Sequence, residues 1–487
     1  MEFSLDVIVK KHWYETRIII DAMVLPCLCI VMVLVLTYLI STTIKPKNYP
    51  PGPKWYPLFG CNNLLNARTT KSTSQWKVIS DLAKEYSTNV LGLKMGNERV
   101  VVVYGENNIR QVSFDKEFDS RPDSFFLRLR CFGKRIGITF VDGKLWREHR
   151  HFAFKALKNE GYGKQFMHEE IKKALRNITN YIDNSDGVPR EYIKEQRIQR
   201  IIDLMSARSK AFTMAGGWLN QWPWLRFIAP DWTGYSIIQK MNKELSDIIE
   251  ETINKHKQEL VKGNDFIYTF LDEVYKQKQT FTEDQLKGIC LDFLIASTQT
   301  TGNSFGFMML ALIRNPAMQE KVYQEIITTF GEEDPAFSDI GRLVYTNAFF
   351  AETQRYHTVA LFSGARRTVS DVIVDGYTIP INTTVLVSLG DLHSDPKHWD
   401  EPNIFNPERF IDENGKLKMS PYSHPFGLGR RRCPGEPLSR PFLLTALVTI
   451  VKRYRIESSN GELPSEEPIV GILAEPRPFI ARCIKRK

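Results

Sequence analysis

Cysteine is sparse and unpatterned, with seven residues in 487, an odd number without regular spacing. That excludes a disulfide framework and points to a reducing compartment for the folded part. Zinc-ligand spacings, RNP-like aromatic motifs and long Lys/Arg blocks are also missing. No nucleic-acid partner is therefore expected, despite a net charge of +9 and a pI near 9.0. The basic balance instead suits an anionic membrane surface or an acidic protein partner. There is no internal repeat and no disordered signature: hydrophobic residues make up 43% and charged residues 25%.

Only one long apolar run is present. It extends from Ala22 to Ile40 without a charge, about enough helix to cross a bilayer. A cleaved signal peptide would have a shorter apolar core ending in a small-residue site, and no convincing site follows. The run is read as a retained transmembrane anchor within an N-terminal segment, residues 1–48. Lys45, Lys47 and Lys54 behind it favour a cytosolic body. Tyr49-Pro50-Pro51-Gly52-Pro53 reads as a stiff hinge to that body, a single unit over 49–487. Strands are expected near Val90–Leu93, Arg99–Tyr104, Val372–Val374 and Thr384–Ser388. Thr282-Glu283-Asp284-Gln285 fits a capping box opening a long helix to about Arg314, where Asn315-Pro316 stops it.

The strongest chemical signal is Phe426-Gly427-Leu428-Gly429-Arg430-Arg431-Arg432-Cys433-Pro434-Gly435. Glycines permit tight turns and close approach of backbone to a flat cofactor. The stretch Glu436–Tyr454 looks helical, so the Cys433 sulfur falls near a helix N-terminus beside three arginines, a setting that favours thiolate. A lone cysteine in a Gly-rich loop is usually structural, but the spacing Phe-x-x-Gly-x-Arg-x-Cys-x-Gly favours a metal ligand.

That loop resembles the haem-binding loop of the cytochromes P-450, and further motifs of that family follow in order. Glu352-Thr353-Gln354-Arg355 resembles its Glu-x-x-Arg. Phe405-Asn406-Pro407-Glu408-Arg409-Phe410 resembles the segment whose arginine completes that network. By resemblance, Glu352, Arg355 and Arg409 form a buried structural network behind the haem loop; alone, a helical Glu/Arg pair is a common surface feature. Trp146-Arg147-Glu148-His149-Arg150 resembles the family's Trp-x-x-x-Arg, whose ends share a helix face and can reach a haem propionate. Arg431, Arg366 and Arg121 match other propionate-contacting positions. Phe426, Gly427 and Gly435 belong to the haem loop, and Cys433 would be the axial iron ligand. Ala296-Ser297-Thr298-Gln299-Thr300-Thr301 aligns with the oxygen-activating segment. Thr300 matches the proton-steering threonine, with Gln299 and Thr301 beside it.

Several positions depart from the family pattern. Ser297 replaces a usual glycine, and Gln299, which cannot ionise, replaces a usual acid. Thr358 and Leu361 stand where prolines are common, and Pro441 falls inside the helix after Cys433. The chain also looks shortened by about one helix near 183–200. The resemblance implies a mainly α triangular fold with small β-sheets, binding haem b and acting as a monooxygenase. Dioxygen and NADPH-derived electrons would be co-substrates, delivered through a diflavin NADPH–cytochrome reductase, with a cytochrome b-type protein as a second donor. A small apolar substrate (terpenoid, steroid or xenobiotic), membrane lipid and the endoplasmic reticulum, with the catalytic domain cytosolic, complete the expectation. The segments Phe125–Phe132, Phe212–Leu225, Thr358–Phe362 and Val470–Leu473 would line the substrate pocket. Two alternatives stay open: a reductase-independent isomerase or dehydratase of peroxides, and a non-catalytic haem or ligand binder.

Overall fold

The computed structural model describes residues 26–70, 73–162, 165–184, 196–211, 217–258, 263, 265–333, 335 and 337–486. Helix α1 covers residues 26–41, and its apolar side chains, Leu28, Ile30, Met32, Leu34 and Ile40 among them, are exposed. Residues 22–25, where the expected span begins, lie outside the described residues. Among the described residues no helix is long and apolar enough to cross a membrane.

The proline-rich stretch is not a free hinge. Tyr49 and Trp55 are buried with their rings edge to face at 5.2 Å. Gly92 N donates to Pro51 O at 2.7 Å, and a Cβ on Gly52 would sit 2.0 Å from Gly92 O. Lys45 Nζ donates back to Gly52 O at 2.7 Å, so the chain leaving α1 is fastened to the body at once. Composition reads as a linker here because the restraint comes from a strand some forty residues away.

That strand is β1 (Val90–Met95), paired antiparallel with β2 (Glu98–Val103). Four consecutive valines, Val100 to Val103, are all buried, as a strand covered on both faces requires. The site itself depends on α2 (Gly143–Asn159), α3 (Gln165–Asp183), α4 (Gln196–Ala211), α5 (Tyr235–Gln258), α6 (Glu283–Arg314) and α7 (Val344–Tyr356). Strands β3 (Arg366–Arg367) and β4 (Thr384–Val387) complete the four-stranded sheet. There β4 lies parallel to β2 with Val100 opposite Thr384, and β3 forms the edge. Helix α8 (Glu436–Arg453) follows Cys433 and contains the buried Pro441. The expected strands and the helical majority with small sheets are all present.

Helix α6 is the axle of the fold, 32 residues and so roughly 48 Å long at 1.5 Å per residue. Thr282 caps it, its side chain accepting from Gln285 N at 3.1 Å. The reciprocal half of the capping box is not made. The Gln285 amide is instead spent on both backbone groups of Gly137, at 2.9 and 3.1 Å. Asn315 ends the helix and Pro316 opens the next one. Each end of α6 is buried in its own core, Leu286, Ile289 and Leu291 with α5, and Met308, Met309 and Ala311 to Ile313 with α7 and α8. The middle, 296–304, carries small polar residues instead and faces a cavity.

Candidate active site

The cavity, of about 720 Å³, lies between the middle of α6 and the loop before α8. Ala296, Ser297, Thr300, Thr301 and Ser304 line one side. Phe426, Gly427, Leu428, Arg431, Cys433 and Gly435 line the other. Of the expected substrate-lining segments, only Val359 and Ala360 reach it. Thr358, Leu361, Phe362 and Val470 to Ile472 line a second cavity of about 840 Å³. Segment 125–132 and residues 217–225 line neither, and 212–216 lie outside the described residues. The two cavities meet at Phe307 and His357, whose rings stack at 4.7 Å.

The cysteine loop is shaped by backbone. Cys433 N donates to Phe426 O at 2.8 Å, closing the turn. Gly427 and Gly429 take positive φ (72° and 68°), and a Cβ on Gly429 would lie 1.9 Å from Ser113 O. Cys433 Sγ is open to the cavity and accepts from Gly435 N at 3.3 Å, one turn before α8 begins. Burial pushes its thiol pKa up, and the Gly435 N–H opposes that shift. The cation acting against it is Arg150, not the loop arginines expected to do so. Arg430 is held by Asp119 at 2.9 Å, and Arg431 lies over the Trp146 ring at 3.7 Å.

On the rim beside that loop, Arg121, Arg150, Arg366 and Arg431 crowd together. Burial pushes Arg366 down to about 10 and Arg431 to about 9; for Arg431, attraction to Asp119 opposes the shift, and the Arg366 and Arg150 guanidiniums add to it. Arg121 is depressed further by burial and by the other three. Arg121 donates to Thr139 O at 3.1 Å and to the carbonyls of Gly364 and Ala365, and Arg150 to Arg432 O at 2.8 Å. Those two therefore act on the rim mainly by charge rather than by the direct contact their motif suggests. Trp146 Nε1, Arg366 Nε and Nη1, and Arg431 Nη1 are buried without a hydrogen-bond partner. Such donors are seldom left unmade in a folded protein. What they lack is an anion with several acceptor oxygens.

Across the cavity, Thr300 Oγ1 donates to Ala296 O at 2.7 Å, and Thr301 Oγ1 meets Ser439 Oγ on α8 at 3.3 Å. Gln299 does not join them. It is buried off the cavity, and neither amide atom has a partner. A helix turns about 100° per residue, so neighbours of a cavity-facing threonine look elsewhere. Gln299 therefore lies apart from the cavity that Thr300 and Thr301 line.

Behind the cysteine loop, Glu352 is fully buried and bidentate to Arg355 at 2.7 and 2.8 Å, with Arg409 Nε at 3.2 Å. The remaining guanidinium nitrogens reach the carbonyls of His393, Pro402, Asp400, Glu401 and Ile404. Thr358, standing where a proline was expected, donates to Arg355 O at 2.8 Å and contacts His393 Nδ1 at 2.7 Å. His393 Nε2 accepts from His424 N, so Nδ1 carries the proton. This Thr358–His393–His424 chain ties the network to the loop. Only the His/Thr composition hinted at it.

The chain matches the cytochrome P450 family over residues 50–192 and 186–482. It is 37% identical to a Drosophila melanogaster protein named "Probable cytochrome P450 305a1", covering 94% of this chain and 99% of that one. It is 34% identical to the farnesoate epoxidase of Bombyx mori, over 91% and 95%. With rabbit cytochrome P450 2J1 the identity is 29%, over 89% and 91%. This chain therefore belongs to the cytochrome P450 family of monooxygenases, enzymes that use haem b, dioxygen and electrons derived from NADPH.

Proposed function

We propose that this enzyme inserts one oxygen atom into a small apolar molecule while bound to the endoplasmic reticulum membrane, its catalytic domain, 49–487, in the cytosol. One observation carries the reading: a single cavity joins an accessible Cys433 sulfur, the Thr300 hydroxyl and a rim of unspent guanidinium donors. The residues present fit haem b. Cys433 would supply the axial ligand, and Arg366, Arg431 and Trp146 the donors for the propionates, with Arg121 and Arg150 adding charge. Phe426, Gly427 and Gly435 would frame the ring, and the open space above Gly427 is what a flat group needs. When bound, the thiolate-ligated haem supplies reductive activation of dioxygen. Thr300 holds a proton at Oγ1 over the cavity, and Thr301 keeps α6 in register with α8 through Ser439. Glu352, Arg355 and Arg409 hold the loop from behind.

The substrate is apolar because most of the cavity lining is, with Phe293, Leu294, Val359 and Phe442 in it. The named activity of the silkworm relative favours a terpenoid. Exposed Lys144, Arg147 and Arg432 on the Cys433 face suit an acidic diflavin NADPH–cytochrome reductase, with a cytochrome b-type protein as second donor. Membrane attachment rests on the apolar run from residue 22 to 40. A second apolar surface supports it, where Phe227 is 75% and Ile228 73% exposed beside Trp232.

Between α3 and α4 the chain is shortened by about one helix. The alignment to the fruit-fly relative runs over 499 residues while using 94% of this chain, so that relative carries residues missing here. The family match comes in two segments, 50–192 and 186–482, which overlap within the stretch read as shortened.

The test is reconstitution with the reductase in vesicles, following NADPH use and oxygenated product from a C15 terpenoid. Product requiring both reductase and NADPH supports the reading. Reductase-independent turnover of a peroxide, or haem binding without any turnover, refutes it.

A further inference from the structure

Five hydroxyl side chains stand on the middle of α6: Ser297, Thr298, Thr300, Thr301 and Ser304. All but Thr298 line the active-site cavity. What separates them is where their protons go. Thr298 Oγ1 donates to Leu294 O at 2.7 Å, Thr300 Oγ1 to Ala296 O at 2.7 Å and Ser304 Oγ to Thr300 O at 2.9 Å. Thr301 Oγ1 meets Ser439 Oγ at 3.3 Å.

Ser297 is the exception. Its contact is with Leu294 O at 3.4 Å, beyond the roughly 2.5–3.0 Å of a hydroxyl hydrogen bond. That carbonyl is already engaged, by Thr298 Oγ1 and, through helix geometry, by the backbone N–H of Thr298. A carbonyl oxygen has two lone pairs, so none remains for Ser297. The side chain is exposed in a helix whose ends are buried, and the space it faces is the cavity shared with Cys433.

Thr300 complements it one turn further on. Its proton is committed to Ala296 O, so toward the cavity it offers only lone pairs. Side chains three apart on a helix stand about 5–6 Å from each other at Cβ, a gap that one water molecule spans by donating to both oxygens. Gln299, the polar residue between them, lies apart from the cavity and cannot take this part.

We propose that Ser297 is a second catalytic hydroxyl, the one that passes protons into the cavity, with Thr300 holding the water that resupplies it. This rests on the haem site read above and assigns the proton path within it. For one oxygen atom of dioxygen to enter the substrate and the other to leave as water, two electrons and two protons must reach the cavity. In each transfer the Ser297 O–H bond breaks toward the reacting oxygen while a proton from the water re-forms it. Solvent returns that proton to the water, so neither side chain ends with a changed charge.

The test uses the full-length holoenzyme as its reduced carbon-monoxide complex and reads the infrared C–O stretch. A hydroxyl donating to the ligand's oxygen draws electron density outward from the iron and weakens the C–O bond. Ser297→Ala and Ser297→Gly should therefore move the stretch to higher frequency. Thr300→Val, which removes a committed proton, should leave it in place. In reconstituted turnover, Ser297→Ala should form about five-fold less product per NADPH, the size of one net hydrogen bond, with hydrogen peroxide making up the difference. A stretch unmoved in both Ser297 variants overturns the proposal, as does a shift confined to Thr300→Val. Unchanged product per NADPH in Ser297→Ala overturns it too. Each of these results leaves the haem reading standing, whereas an unaltered protein without the thiolate-type carbon-monoxide band would overturn both.

Discussion

Two buried arginine clusters flank the cysteine loop, and they differ in what their donors do. Around Glu352, every guanidinium nitrogen of Arg355 and Arg409 has a carboxylate or carbonyl partner. Around Arg366 and Arg431, buried nitrogens remain unspent and the charges repel one another. A fully satisfied polar cluster holds a fold together, whereas a half-satisfied one weakens it until a partner arrives. On the function proposed above, the first cluster is scaffold and the second is a binding surface. The same residue type, at similar depth, serves opposite ends.

The sharpest way to break that contrast is to remove one partner from the satisfied cluster. Arg355→Ala leaves the Glu352 carboxylate buried with two of its contacts gone, and should destabilise the protein by about 3–5 kcal/mol. Thermal unfolding of apo- and holoprotein should fall together. A variant that melts normally yet loses haem would make this cluster part of the binding surface. Arg431→Leu should tilt the other way. Arg431 Nε and Nη2 donate to Asp119 O and Val141 O, so the apoprotein should lose stability, but by less than Arg355→Ala costs. Haem affinity should fall about ten-fold or more, read by transfer of haem to apomyoglobin. Equal loss in both measurements would erase the distinction.

A pH titration sharpens the comparison on the scaffold side. Burial holds His357 and His393 down to about 3, with neighbouring cations adding to it. Folded-state values below the usual 6.5 mean that the unfolded chain binds more protons across that interval. Their contribution to stability is present above about pH 6.5 and is lost as pH falls toward 3. Stability should therefore decline across that window, and His393→Asn, which keeps hydrogen-bonding capacity without titrating, should make the decline shallower. An unchanged slope would place the titration elsewhere.

The smallest effect is expected at Gln299, an unspent group with no charge. Gln299→Leu should shift stability by less than about 1 kcal/mol and leave product formed per NADPH unaltered. A marked fall in coupling would return Gln299 to the proton path.

Much of this contrast was legible in the chain. Cys433, Glu352, Arg355, Arg409 and Thr300 were found because they sit in spaced motifs, and α6 because Thr282 and Pro316 mark its ends. The failures have one cause: local pattern does not record distant partners. Gln285 looked like half of a capping box, but Gly137 takes its amide. Tyr49 to Pro53 looked like a linker until Gly92 was set against it. The loop arginines looked like thiolate-stabilising charges, yet Asp119 and Trp146 claim them.

Everything above depends on Cys433 being the iron ligand, and the reduced carbon-monoxide spectrum tests that most directly. The unaltered protein should show the strongly red-shifted band of thiolate ligation, and Cys433→Ala should lose it or fail to incorporate haem. A red-shifted band that survives in purified Cys433→Ala protein would contradict the assignment.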